Sequence, residues 1–144
     1  MHLVSLEDVT LRTRDADSLH FAGHRGERGA ISVLDHDLVR VQLWPDGSPR
    51  LDRTWCVVDA SGDVPLEGRS RGDLSPFPRP GLRVEGTPDG LTICTDALAV
   101  DVRLGDLRLV WRLPSGEEFA ADIPTRAHTY DRAGRAVFHH MARH

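Results

Sequence analysis

The chain has 144 residues, 40% of them hydrophobic, and a net charge of −4. This length suits one domain with one core. The 18 basic residues are all arginine and lie scattered along the sequence, which argues against a nucleic-acid partner. The apolar runs are shorter than the roughly 20 residues of a membrane span, and the first residues lack the features of a signal peptide. We therefore expect one cytoplasmic domain over residues 1–144, without a membrane partner.

Apolar and polar residues alternate along most of the chain, which is typical of antiparallel strands with one buried face. No segment sustains the periodicity of a helix. Many short strands separated by turn residues predict an all-β fold, an antiparallel β-sandwich. The predicted strands cover residues 9–14, 19–22, 30–34, 38–44, 53–58, 82–85, 91–94, 98–104, 107–113, 118–123 and 136–141.

Short turns join the later strands into a meander between residues 82 and 123. Gly105-Asp106 stands alone between two alternating runs, and glycine can take the positive φ of a type II′ turn, so a two-residue hairpin loop is predicted there. Residues 87–90 and 114–117 are further tight turns.

The connection over residues 59–81 breaks this rhythm. Pro76, Pro78 and Pro80 exclude a central strand there, because each removes a backbone donor and fixes φ. A connection of this length within a compact domain more often takes part in function or in contact with a partner than serves only as a link. We expect residues 69–80 to run along the surface as a stiff, extended arm.

The two cysteines, Cys56 and Cys94, both lie in predicted strands and are expected to be reduced and buried. The three tryptophans are also expected in the core, although their rings could instead stack against a sugar: Trp44, Trp55 and Trp111.

No catalytic or metal-binding motif is apparent. Neighbouring side chains of a strand point to opposite faces, so His139 and His140 should not share one ion, and no Cys or His spacing matches a zinc module. Asp35-His36-Asp37 is interpreted as a turn rather than an acid–base cluster. The nucleophile elbow, the phosphate loop and the dinucleotide fingerprint are absent from the sequence. Neither a metal nor a cofactor is predicted.

The order of several segments resembles the N-terminal domain of glycoside hydrolase family 31, the α-glucosidase family. The resemblance begins with the run Ile31-Ser32-Val33-Leu34-Asp35-His36-Asp37-Leu38-Val39-Arg40-Val41. Residues 53–58, 69–80, 91–102 and 107–111 follow in the family's order. The likeness covers residue 30 to the C-terminus. It rests on the order and the general residue character of these segments rather than on a catalytic motif.

This resemblance implies a β-sandwich of the galactose mutarotase-like type, packed on a catalytic (β/α)₈ barrel that acts on α-linked glucosides. The two catalytic aspartates of such a retaining enzyme have no counterparts here: the nucleophile's Trp-x-Asp-Met-Asn motif needs an asparagine, and the chain has none. The resemblance thus implies a non-catalytic accessory domain whose partners are the barrel and, in the whole enzyme, a carbohydrate substrate.

Residues 69–80 are the candidate contribution to the mouth of the active site. Arg71 or Asp73 would bond sugar hydroxyls, and Phe77 would offer an apolar face to a sugar ring or to the barrel. Alternatively, Phe77 folds back onto its own sandwich. Two other functions remain open: a free-standing carbohydrate-binding or protein-interaction sandwich, and a mutarotase-like epimerase.

Overall fold

The computed structural model describes residues 2–58, 61–131, 133 and 136–142. These residues form strands and turns, and none of them lies in a helix. The strands are β1 (Leu3–Ser5), β2 (Thr10–Arg14), β3 (Ser18–Ala22), β4 (Arg28–Asp35), β5 (Leu38–Trp44), β6 (Arg83–Thr87), β7 (Gly90–Cys94), β8 (Ala99–Arg103), β9 (Arg108–Arg112), β10 (Glu118–Ala121), β11 (His128–Asp131) and β12 (Val137–His139). No helix that could cross a bilayer occurs in this described part of the chain.

The strands form three antiparallel sheets, as expected for the predicted β-sandwich. Four strands are ordered β2-β3-β4-β5, and five are ordered β10-β9-β8-β7-β6. The third sheet, β1-β11-β12, joins segments from the two ends of the chain. Every pairing in the two larger sheets joins strands consecutive in sequence, so both are meanders.

The core lies where alternate side chains of the two larger sheets meet. The four-stranded sheet contributes Leu19, Phe21, Ile31 and Val33, and the five-stranded sheet contributes Leu91, Ile93, Val100, Val102 and Leu109. Along β7 and β8 each buried residue alternates with a half-buried one, as the sequence pattern predicts. On β5, Val39, Val41 and Leu43 are only partly buried against this core, which leaves that edge accessible.

The prediction of a strand over residues 53–58 is wrong. Only Thr54 pairs there, exchanging two backbone hydrogen bonds with Arg69, and the flanking residues form bends. The sequence also missed β1 and β11, because each is short and pairs with a segment far away in the sequence.

The hairpin after β8 is longer than the predicted two-residue loop. Gly105 has the expected positive φ of 99°, but Leu107 is also left-handed, and Arg103 pairs directly with Arg108. The reason is a second set of contacts: Gly105 exchanges two backbone hydrogen bonds with Val9, and the Asp106 carboxylate accepts from the Arg103 guanidinium. These contacts widen the loop to four residues.

None of the cysteine and tryptophan side chains is fully buried, so the prediction that they are buried is wrong for Cys56 and Trp55 and only partly right for Cys94, Trp44 and Trp111. Both cysteines are free thiols, but Cys56 is exposed and Cys94 only half-buried. Trp55 is 49% exposed rather than in the core, and Trp111 is half-buried, packed against the core. Cys56 and Trp55 lie in the connection between β5 and β6, where the apolar run resembles a strand without sheet partners to cover it.

Candidate functional site

Residues 69–80 are anchored to the start of the same connection by hydrogen bonds. The Asp52 carboxylate accepts from Ser70 Oγ and from the backbone N–H of Arg71, each at 2.9 Å. The Arg71 guanidinium donates from Nε to the Leu51 carbonyl oxygen at 2.8 Å. The segment is therefore held close to residues 51–54.

Residues 69–80 form turns, so the prediction of an extended arm is wrong. The backbone N–H groups of Asp73 and Phe77 donate to the carbonyl oxygens of Ser70 and Leu74. Arg79 then takes a left-handed φ of 54°, which bends the chain again before Pro80. The three prolines keep the segment out of the sheets, as expected. The two hydrogen bonds each join residues three apart in sequence, which is the pattern of a tight turn and not of a polyproline helix.

The three predicted site residues have different environments. Asp73 is half-buried and accepts from the Ser75 backbone N–H at 2.9 Å, with the Arg69 guanidinium 3.6 Å away. Hydrogen bonding from Ser75 is the main cause that lowers the pKa of Asp73. Phe77 is half-buried and Arg71 exposed. Asp73 is thus engaged in holding its own turn.

Arg71 lines an open cleft of about 430 Å³ next to the end of β5. The indole of Trp44 and the side chain of Arg50 form other parts of its wall. Arg50 is tied in place by Asp46 at 3.1 Å and by the Ala133 carbonyl at 2.8 Å. An aromatic ring beside guanidinium groups offers an apolar face and hydrogen-bond donors together, a combination that suits a polar ring-shaped ligand. Asp73 and Phe77 are not among the lining residues.

The connection between β5 and β6 also carries exposed apolar side chains. Leu66 is 95% exposed, and Leu51, Trp55 and Val58 are each about half exposed. The Trp55 ring is nonetheless fixed, because its N–H donates to the Leu66 carbonyl at 3.0 Å. Exposed apolar side chains of this size are typical of contact surfaces when they lie close together, as the hydrogen bond places Trp55 and Leu66.

A second cluster lies where the third sheet meets the end of β10. It contains Asp122, which directly follows β10, His128 at the start of β11, and His139 at the end of β12. The carboxylate of Asp122 is fully buried; one oxygen lies 2.6 Å from His139 Nε2 and the other 3.6 Å from His128 Nε2. The two imidazole rings stack with centroids 4.8 Å apart.

The cluster is tied into the backbone of β9. Asp122 Oδ2 accepts from the Leu109 N–H at 2.8 Å, and His128 Nε2 lies 3.0 Å from the Leu107 carbonyl oxygen. Burial is the largest influence on His128 and lowers its pKa, since desolvation disfavours the imidazolium form. His139 is 42% exposed and opens towards a groove.

No motif or spacing in the sequence indicated this cluster. As expected, His139 and His140 do not act together: the His140 ring bonds Thr129 Oγ1 at 3.1 Å, away from the carboxylate. The partner of His139 is instead His128, its register partner across the β11–β12 pair. Only the strand pairing brings these residues together, and β11 is one of the strands that the sequence missed.

Solved structures similar in fold to this chain include glycoside hydrolase family 31 enzymes. A GH31 dextranase of Flavobacterium johnsoniae, solved with glucose, is 13% identical with a TM-score of 0.65; the match covers 90% of this chain and 14% of that enzyme. A cycloalternan-forming enzyme of Listeria monocytogenes, solved with a pentasaccharide substrate, is 18% identical with a TM-score of 0.59, covering 90% of this chain and 10% of that one. No protein-family profile and no curated protein matches the sequence.

The predicted resemblance to this family is confirmed as a likeness of fold. The chain spans 10% to 14% of the length of these enzymes, so it corresponds to a small part of each.

Proposed function

We propose that this chain is the N-terminal, non-catalytic β-sandwich of an α-glucosidase-like glycoside hydrolase. The observation that carries the proposal is the match of 90% of the chain to a small part of two different GH31 enzymes. Residues 1–144 act as one domain, located in the cytoplasm, whose principal partner is a catalytic (β/α)₈ barrel. Hydrolysis of α-glycosidic bonds belongs to that whole enzyme.

The exposed apolar groups of the connection support packing against a barrel. Leu66, Trp55 and Val58 expose apolar side chains to water, and the hydrogen bond from the Trp55 indole to the Leu66 carbonyl holds two of them together. Burying them on another domain would add apolar contact without rearranging the sandwich. We assign the contact with the barrel to this surface.

Residues 69–80 then extend from the same connection to the mouth of the active site. Arg71 is the best placed of the three candidate residues, because its guanidinium lines the cleft beside Trp44. Phe77 contributes an apolar face at the contact with the barrel or sugar. Asp73 acts by holding the turn and, through it, the position of its neighbours.

The cleft also favours a second function, that of a free-standing carbohydrate-binding module. Trp44 and Arg71 would bind a sugar without any barrel. Titration of the 144-residue chain with maltose and isomaltose, followed by tryptophan fluorescence, separates the two functions. Saturable binding that Trp44→Ala abolishes would favour the module.

The main test uses the 144-residue chain beside a longer product of the same reading frame. The chain alone should not hydrolyse an aryl α-glucoside, whereas the longer protein should. In the longer protein, Arg71→Ala and Phe77→Ala should lower kcat/KM with little change in the melting temperature. Glu67→Ala, exposed in the same connection, is the matched control and should behave as wild type.

Turnover by the short chain well above the uncatalysed rate would contradict the proposal. So would a reading frame that encodes no barrel. Wild-type kinetics in both variants would remove residues 69–80 from the active site and leave the packing role in place.

A further inference from the structure

The carboxylate of Asp122 is fully buried and needs a positive partner. Its two oxygens accept from the Leu109 N–H and lie 2.6 Å from His139 Nε2. Among the described residues, His128 and His139 are the basic groups within 4.0 Å of it. The nearby Arg108 guanidinium donates instead to the backbone carbonyls of Asp122 and Ile123. An isolated buried carboxylate is costly, and a metal ion held between these groups would neutralise it.

We propose that Asp122, His128 and His139 form a binding site for one divalent transition-metal ion of the zinc type. One carboxylate and two imidazoles are a common ligand set for zinc, with a water molecule in the fourth position. Two imidazole nitrogens favour zinc, cobalt or nickel over calcium or magnesium, which prefer oxygen ligands. The site does not depend on the function proposed above.

The spacing of the donor atoms fits one ion after small movements. The three donor atoms lie within 4.8 Å of one another. Atoms bound to one zinc ion at about 2.0–2.2 Å lie about 3.3 Å apart at the tetrahedral angle. The separations of 2.6 Å and 3.6 Å fall on either side of that value, but each involves a different carboxylate oxygen. Binding of one ion therefore requires the carboxylate and the imidazoles to move relative to one another.

Two adjustments accompany binding. The planes of the stacked rings differ by only 9°, so one ring has to rotate for both nitrogens to point at the same ion. His139, which is 42% exposed, has the freedom to do so. In addition, His128 Nε2–H donates a hydrogen bond to the Leu107 carbonyl in the metal-free chain. To bind an ion through Nε2, the ring has to give up that hydrogen bond and take the tautomer that carries its proton on Nδ1.

Access to the site comes from a groove of about 380 Å³ that both histidines line. The groove's other walls are apolar, including Val41, Leu109 and Trp111. Apolar walls lower the local dielectric and strengthen the attraction between the ion and the carboxylate. Trp111 also lies close enough to report binding through its fluorescence.

The test is a titration of the untagged 144-residue chain after treatment with a chelator. Calorimetry with Zn²⁺ should give one ion per chain, and Co²⁺ should give the intense visible bands of tetrahedral coordination. His139→Gln, a change at an exposed ring, should weaken Zn²⁺ binding by at least about tenfold. His140→Gln is the control, because that ring bonds Thr129 instead, and it should bind as wild type.

Absence of one-to-one binding in the wild-type chain would overturn the proposal. Binding that survives His139→Gln would come from other histidines and would overturn it equally. Asp122→Asn tests the carboxylate; if that variant does not fold, the His139→Gln result alone decides. Ca²⁺ and Mg²⁺ should not compete, and competition by either at similar concentration would contradict the assignment to a zinc-type ion.

Discussion

The sandwich and the connection between β5 and β6 use apolar residues in opposite ways. In the sandwich, Phe21, Ile31 and Ile93 are at most 2% exposed, and each faces the opposing sheet. In the connection, Leu66 is 95% exposed and Trp55 49%. The same residue types therefore stabilise the fold in one region and remain exposed to solvent in the other.

The largest expected difference between the regions is in stability. Phe21→Ala should lower the free energy of unfolding by about 3–5 kcal/mol, since it leaves a cavity between the two sheets. Leu66→Ala, in the connection, should change it by less than about 0.5 kcal/mol. Urea unfolding followed by circular dichroism measures both. A comparable loss in the two variants would show that the connection is part of the core.

The success of sequence-based prediction follows the same division. The strands from β6 to β10 were predicted because each pairs with its neighbour in sequence, and β7 and β8 also bury alternate side chains, as in Val100 and Val102. The order of these meanders also supported the resemblance that the fold confirms. In the connection, Trp55 and Cys56 look like a strand, and only the absence of a neighbouring strand exposes them.

The candidate sites were less predictable because they depend on contacts between distant residues. Arg71 reaches the cleft through Asp52, and Asp122 meets His128 and His139 only because β11 pairs with β12. Pairings of that kind leave no periodic signal in the sequence. Proline positions did predict that residues 69–80 stay out of the sheets, but not that they form turns.

A smaller difference in stability between the two regions is expected in acid. Each region holds a carboxylate with a lowered pKa, Glu27 in the sandwich and Asp73 in the connection. Burial alone would raise the pKa of Glu27, but hydrogen bonds from Tyr130 and the Arg25 N–H outweigh it and bring the pKa below its ordinary value. Ionised Glu27 therefore stabilises the fold above its unfolded pKa of about 4.3. That stabilisation is lost as the pH falls through the lowered value.

Tyr130→Phe tests this by removing the donor at 2.5 Å from Glu27 Oε1. It should cost about 1–3 kcal/mol at pH 7, and less near pH 3, where the carboxyl is protonated. Urea unfolding at the two pH values measures the difference. Ser75→Ala, beside Asp73 in the connection, should show a smaller effect, because the Ser75 backbone N–H that Asp73 accepts from remains. A pH-independent cost for Tyr130→Phe would contradict the role of ionised Glu27.

The smallest expected effect concerns the reactivity of the thiols rather than stability. It is a difference in reaction rate between one cysteine of each region. Cys56 lies exposed in the connection, whereas Cys94 ends β7 and is half-buried. Burial, with the charge of Glu85 as a lesser cause, raises the pKa of Cys94 and lowers its thiolate fraction. With an aromatic disulfide reagent at pH 8, Cys56 should react first and Cys94 more slowly, and urea should make both react at once.

Cys56→Ser should remove the fast phase alone and Cys94→Ser the slow phase alone. Equal reaction rates of the two thiols in the native chain would mean that β7 does not shield its last residue. If neither thiol reacts until urea is added, the connection is covered in the native chain.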